Sequence, residues 1–248
     1  MILLKSLQEI AKMEVANRIV AEILEGVKEK VQPGIETREL DELAEDMCRQ
    51  RRVKPAFKGY RGYPRSICVS VNEEVVHGIP GPRRLKAGDL VSLDFGVKYE
   101  GFYGDAAITV GVGDVGEKAR ALMAVTEESL YAGIAQVKAG KRLSDVSHAV
   151  QTVVEGAGFG VIREFVGHGI GRSLHEDPQI PNFGPPDRGP TLQVGMTFAI
   201  EPMTSMGSWQ VRILKDGWTA ITQDGSLAAH FEHSVALTEN GVLILSRL

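Results

Sequence analysis

The chain has 248 residues, of which 43% are hydrophobic and 24% charged, and a formal net charge of −4; that size and mix fit a packed globular fold and exclude a disordered or collagen-like chain. The mildly acidic balance excludes a long-range field that gathers nucleic acid or anionic lipid, so neither DNA nor membrane is expected as a partner. Cys48 and Cys68 are too few for a secreted disulfide framework, Gln8 and Glu9 interrupt any signal-peptide core, and no apolar run approaches the ~20 residues of a membrane span, so a cytoplasmic protein is expected.

In chain order, apolar residues at helical spacing from about 6 to 29 (Leu7, Ile10, Ala11, Val15, Ile19, Ile23) predict a first helix, and 37 to 50 a second. Arg49, Arg51, Arg52 and Lys54 follow it; the run reads as a solvated helix end, with transient contact to RNA or a ribosome as the alternative. Ser66 to Val71, Asp89 to Phe95 and Ala106 to Val110 are rich in β-formers and separated by Gly-containing turns, which predicts strands. A hairpin turn centred between Tyr99 and Glu100 would set Asp94 directly opposite Asp105. Gly111-Val-Gly-Asp-Val-Gly116 fits a dinucleotide-binding turn, but no parallel strand ending in an acid follows its helix, so it reads as a glycine-rich connection. Helices are then expected at about 117 to 136 and 143 to 156, and strands near 161 to 166 and 196 to 201.

The second half repeats the first. Leu85-Lys-Ala-Gly-Asp-Leu-Val-Ser-Leu-Asp94 lies over Leu192-Gln-Val-Gly-Met-Thr-Phe-Ala-Ile-Glu201, Asp105-Ala-Ala-Ile-Thr-Val over Glu232-His-Ser-Val-Ala-Leu, and His77-Gly-Ile over His168-Gly-Ile. A single domain is expected, duplicated roughly as 1–112 and 113–248, with an acid ending each copy of the strand.

Acids kept at matching places in diverged halves need a reason to converge. Two like charges ~4 Å apart repel by about 4 kcal/mol at an effective dielectric of ~20. Were Glu201 and Glu232 to join Asp94 and Asp105, only bound cations or strongly raised pKa values would make the cluster tolerable. Four carboxylates with the imidazole of His168 suit a pair of first-row divalent ions, which can hold a hydroxide and polarise a carbonyl for amide hydrolysis.

At these residues the chain resembles the type I methionine aminopeptidases of the short bacterial form. The resemblance rests on Tyr60-Arg-Gly-Tyr-Pro-Arg-Ser-Ile-Cys68, Val76-His-Gly-Ile-Pro80, Ser92-Leu-Asp-Phe-Gly96, Gly104-Asp105, Gly167-His-Gly-Ile-Gly171, Leu174-His-Glu-Asp-Pro178, Ile200-Glu-Pro-Met203 and Phe231-Glu-His233, and covers essentially the whole chain. It implies an α/β (α+β) pita-bread fold, two pseudo-twofold-related halves around a central antiparallel sheet with helices outside. It implies two divalent metal ions (cobalt, manganese, iron, zinc or nickel), Asp105 and Glu232 bridging both, Asp94 on one, and His168 and Glu201 on the other.

The same resemblance implies that His77 and His175 contact the peptide near the scissile bond, with His175 stabilising the tetrahedral intermediate, and that Glu201 also carries a proton. Tyr60, Tyr63, Cys68 and Trp218 match positions lining a methionine pocket, where thioether sulfur gains from ring contacts. Phe57 stands where many relatives have Cys, and Leu174 where many have Phe, which changes pocket shape rather than chemistry. His148, His230 and His233 are read as structural. The implied substrates are peptide and nascent-protein N-termini with a small second residue, cleaved by a monomer. The alternatives are an X-Pro peptidase of the same architecture and a peptide-binding protein without catalysis.

Overall fold

The computed structural model of the protein describes residues 1–247. The first half runs α1 (Leu7–Lys28), α2 (Thr37–Arg51), β1 (Lys54–Pro55), a 3-10 turn (Tyr60–Gly62), β2 (Cys68–Val71), β3 (Glu74–Val76), β4 (Leu90–Tyr99) and β5 (Phe102–Gly111). The second runs α3 (Glu117–Ile134), α4 (Leu143–Gly156), β6 (Gly160–Val161), β7 (Gly167–Gly169), β8 (Glu176–Ile180) and β9 (Thr197–Ile200). It ends with β10 (Met203–Ser205), β11 (Val211–Ile213), β12 (Ala220–Thr222), β13 (Ala228–His230), β14 (Glu232–Thr238) and β15 (Gly241–Ile244).

A nine-stranded antiparallel sheet carries the order β1-β4-β5-β14-β9-β7-β8, with β2 also on β4 and β15 also on β14. Its centre is symmetric: β4 and β5 on one side, β9 and β14 on the other, joined where Glu232 pairs with Ala107 and His233 with Ala106. Two cores follow the same division. Val91, Leu93, Phe95 and Val97 of β4 pack with Ala16, Val20, Ile23 and Leu40 of α1 and α2. Phe198, Ile200, Val235 and Leu237 pack with Leu130, Ile134 and Val146 of α3 and α4.

Strand alternation then assigns the acids. With odd-numbered residues of β4 turned to the helices, Asp94 faces away from them, and the same period of two turns Glu232 away from α3 and α4. Helix α1 is fixed at its start by a reciprocal capping box, Glu9 N–H donating to Ser6 Oγ (3.3 Å) and Ser6 N–H to Glu9 Oε2 (2.8 Å).

Four expectations need correction. The hairpin turn is Glu100-Gly101, both at positive φ (45° and 86°), so Asp94 pairs with Ala107 and Asp105 with Gly96. The two acids are diagonal neighbours on one face instead of direct opposites, because a two-residue turn of this handedness fixes the register. The strand expected from Ser66 starts at Cys68, since the N–H groups of Ser66 and Ile67 donate to Asp41 Oδ1 (2.7 and 3.3 Å) in place of a ladder. Around 161 to 166 only Gly160–Val161 is strand, and Phe165 instead reaches the His77 ring. Finally, strand pairing sets His168 opposite Ala199 but Ser70 opposite Ser92, so His168 corresponds to Ser70 in the duplicated frame and not to His77.

The glycine-rich run 111–116 is the connection from β5 to α3, with no parallel strand after it among the described residues. At the end of α2, Arg51 pairs with Glu22 (3.1 Å) and Arg49 with Glu45 (3.6 Å) and Asp46, which leaves less free charge there than the sequence run suggests.

Candidate metal centre and substrate cavity

Asp94 and Asp105 come from β4 and β5, His168 from β7, Glu201 from the residue after β9, and Glu232 from the first residue of β14. All five line one cavity, together with His77, His175, Phe57, Tyr60, Tyr63, Cys68 and Trp218. Every residue that the resemblance singled out for metal, catalysis or the methionine pocket therefore lines one cavity. The cavity holds about 150 Å³ and opens to solvent at its mouth. One donor atom each from Asp105, His168 and Glu232 lie within 4.8 Å of one another.

The electrostatics are those of acids held out of water. Burial raises the pKa of Asp94 to about 7, and burial together with the neighbouring carboxylates raises Asp105 and Glu232 well above the usual range; Glu201 is raised by burial and by Asp94. His168 Nδ1 donates to Gly169 O (2.9 Å), which fixes its tautomer and leaves the Nε2 lone pair facing Glu201 Oε1 at 3.4 Å and Asp105 Oδ2 at 4.0 Å. Burial lowers the His168 pKa to about 4, so the ring stays neutral.

Around this centre the side chains are ordered by their neighbours. Tyr60 stacks on His175 (5.3 Å between centroids, 22°), its hydroxyl 2.9 Å from His175 Nδ1. The His175 ring lies 4.2 Å from that of His168. His77 adopts φ 61°, uncommon for a residue with a Cβ, and its ring meets Phe165 edge-on at 5.3 Å. Phe57, Tyr63, Cys68 and Leu174 form a buried apolar cluster, with Tyr60 and Trp218 against it. Trp218 is set by Asp216, whose carboxylate accepts from the N–H groups of Trp218 (2.8 Å) and Thr219 (2.9 Å). Burial, with Asp94 alongside, keeps the Cys68 thiol protonated, an inert wall.

Three contributors escaped the sequence reading. Asn17 of α1 is fully buried and accepts from Asp105 N–H (3.1 Å). A signal existed, since Asn17 is a polar residue on the helix stripe that also buries Met13 and Val20. Arg61 lines the cavity beside Tyr60, its guanidinium 5.5 Å from that ring. His230, read as structural, turns toward Glu201. His148 is exposed on α4, and His233 is held by Ser246 (2.8 Å) and Tyr131 (3.3 Å) in an adjoining cavity beside α1 and α3 that Glu232 also lines.

A family model described as metallopeptidase family M24 matches residues 11–239. Methionine aminopeptidase 1 of Bacillus subtilis is 53% identical over all of both chains, and a methionine aminopeptidase of Clostridium perfringens 52% identical over 99% of each. The chain belongs to metallopeptidase family M24, among its methionine aminopeptidases. The crystal structure of a methionine aminopeptidase from Thermotoga maritima, 52% identical, superposes with a TM-score of 0.98 over all of both chains. The prolidase of Pyrococcus furiosus is 23% identical with a TM-score of 0.81, and this chain spans 65% of it, a likeness of fold alone.

Membership in a metallopeptidase family implies divalent ions, and the donors of this M24 chain fit them. Asp105 Oδ1 and Glu232 Oε1 are buried without a hydrogen-bond partner, and the His168 lone pair is aimed at two carboxylates. Acceptors facing acceptors in a dry site are satisfied by shared protons or by a cation between them, and a cation also uses the His168 lone pair. Oxygen donors with one imidazole suit manganese, iron, cobalt, nickel or zinc.

Proposed function

We propose that the chain removes the N-terminal methionine from peptides and nascent proteins, preferring a small second residue, with two divalent ions held by Asp94, Asp105, His168, Glu201 and Glu232. The observation that carries this reading is the meeting of those five side chains, two with orphaned buried oxygens, at an apolar cavity edged by aromatic rings. Asp105 and Glu232 would serve both ions, Asp94 would serve one, and His168 with Glu201 would serve the other. The bound ions supply an activated water and polarise the scissile carbonyl.

The protein's own groups do the rest. Phe57, Tyr63, Cys68 and Leu174, with Tyr60 and Trp218, offer a thioether side chain a dry socket with ring edges. Tyr60 O–H donates to His175 Nδ1, which leaves the proton on Nε2, a donor for the oxyanion that develops at the scissile carbon. Burial lowers the pKa of His77 to about 4, so it too meets the peptide as a neutral hydrogen-bonding ring. Glu201 takes a proton from the attacking water and returns it to the leaving amine. The same reading has the enzyme act in the cytoplasm as a monomer, with transient ribosome contact, and no helix among the described residues is long and apolar enough to cross a membrane.

The test is release of free methionine from Met-Ala-Ser by metal-depleted protein titrated anaerobically with Mn(II), Co(II) or Fe(II). Release should require metal, and Asp105→Ala should lower kcat/KM by more than the ~10–100-fold that losing a supporting residue costs. No release with any ion would sink the reading; preferential cleavage of Ala-Pro peptides would move it to the X-Pro peptidases.

A further inference from the structure

His230 ends β13, two residues before Glu232, and its backbone is fixed on both sides: N–H donates to Thr109 Oγ1 (2.8 Å), and the carbonyl accepts from the same hydroxyl (2.7 Å). The residue is 1% exposed, and neither ring nitrogen has a hydrogen-bond partner. A buried unsatisfied polar atom costs about 1–3 kcal/mol, so two on one ring require an explanation.

Glu201 supplies one. Its Oε2 lies 3.7 Å from His230 Nε2, while its Oε1 lies 3.4 Å from His168 Nε2. The carboxylate thus sits between two imidazoles of opposite character. His168 has committed its proton to Gly169 and shows a lone pair; His230 has committed neither nitrogen. A neutral imidazole carries one N–H donor, and the last torsion of a glutamate is broad and nearly two-fold, so an unrestrained carboxylate swings.

We infer that His230 is a positioning residue whose Nε2–H holds Glu201 Oε2, presenting Oε1 to the ion shared with His168. A small rotation of the carboxylate brings the pair to the usual N–H···O length of ~2.9 Å. The inference rests on the reading of Glu201 as a metal ligand. It gives one of the two unpartnered ring nitrogens its bond, and it prepares the carboxylate before the ion arrives, the condition for tight and correctly oriented ligation.

Metal-depleted wild type, His230→Gln and His230→Leu are titrated calorimetrically with Mn(II), then assayed on Met-Ala-Ser with thermal melting alongside. Wild type should bind two ions. His230→Leu should lose ~10–100-fold in affinity for one of them, and kcat should fall while KM stays unchanged. His230→Gln, which keeps an N–H donor, should recover most of both. Wild-type affinity and kcat in His230→Leu overturn the inference alone, as does equal loss in both variants at equal melting temperature. A wild type that binds no ion overturns it together with the metal reading. Should His230→Leu not fold, the wild type decides: a slowly exchanging imidazole N–H proton resonance, absent in His230→Gln, must shift on adding Zn(II), and its absence or indifference to Zn(II) overturns the inference.

Discussion

Gly96 faces Asp105 across the β4–β5 hairpin, and a Cβ there would lie 3.1 Å from Asp105 Oδ1, 3.0 Å from the Phe57 ring and 3.1 Å from Gly104 O. All three neighbours are confined, so the carboxylate must shift by a few tenths of an ångström. Gly96→Ala is expected to weaken Mn(II) binding by about tenfold with a smaller effect on the melting temperature, as calorimetric titration beside thermal unfolding would show. That Asp94 and Asp105 share a face was legible from strand alternation alone. Their register was not, because it depends on Glu100 accepting a left-handed conformation, which Gly101 announces and Glu100 does not. His230 was missed for a related reason: only the position of Glu201, far away in sequence, shows where its ring points.

Helix α4 starts on backbone donors gathered by one side chain. Asp145 accepts from Asp187 N–H (2.9 Å) and Arg142 N–H (3.1 Å), and these bonds, Asp187 first, hold its pKa below the ordinary carboxylate value. A lowered folded-state pKa means stability present above the unfolded value of ~3.9 and lost as pH falls through the folded one. Asp145→Ala should therefore cost about 1 kcal/mol at pH 7, with the wild-type advantage shrinking on acidification below pH ~4, measured by urea unfolding at both pH values. The four helices were readable in sequence because their apolar stripes run over three turns or more. Strands such as β7 and β10 were not, and β6 was expected too long, since two or three residues carry no period and their pairing is settled by distant partners such as Thr204 for Val161.

The halves meet at the centre of the nine-stranded sheet and in the apolar clusters around it. Between β5 and β14 the ladder holds only the pairs Glu232–Ala107 and His233–Ala106, supplemented by Ser234 Oγ donating to Asp105 O (2.8 Å). The proposed ligands straddle it, Asp94 and Asp105 from one side and His168, Glu201 and Glu232 from the other. Without metal, the carboxylates raised by burial make folding less favourable as pH rises from ~4 toward the value of about 7 held by Asp94. Metal-free protein should accordingly melt lower at pH 7 than at pH 5, and Mn(II) should restore more at pH 7, by about 2.7 kcal/mol per site at a hundred times its dissociation constant.

Beyond that ladder the halves are joined by β3 on β12 and by apolar clusters drawing on both, such as Ile10, Met13 and Phe102 with Ile170 and Ala236. Loss of the proposed ions should therefore loosen the whole molecule at once instead of parting its halves, raising the share of chains open to proteases. Metal scarcity would then shorten the life of the protein as well as silence it.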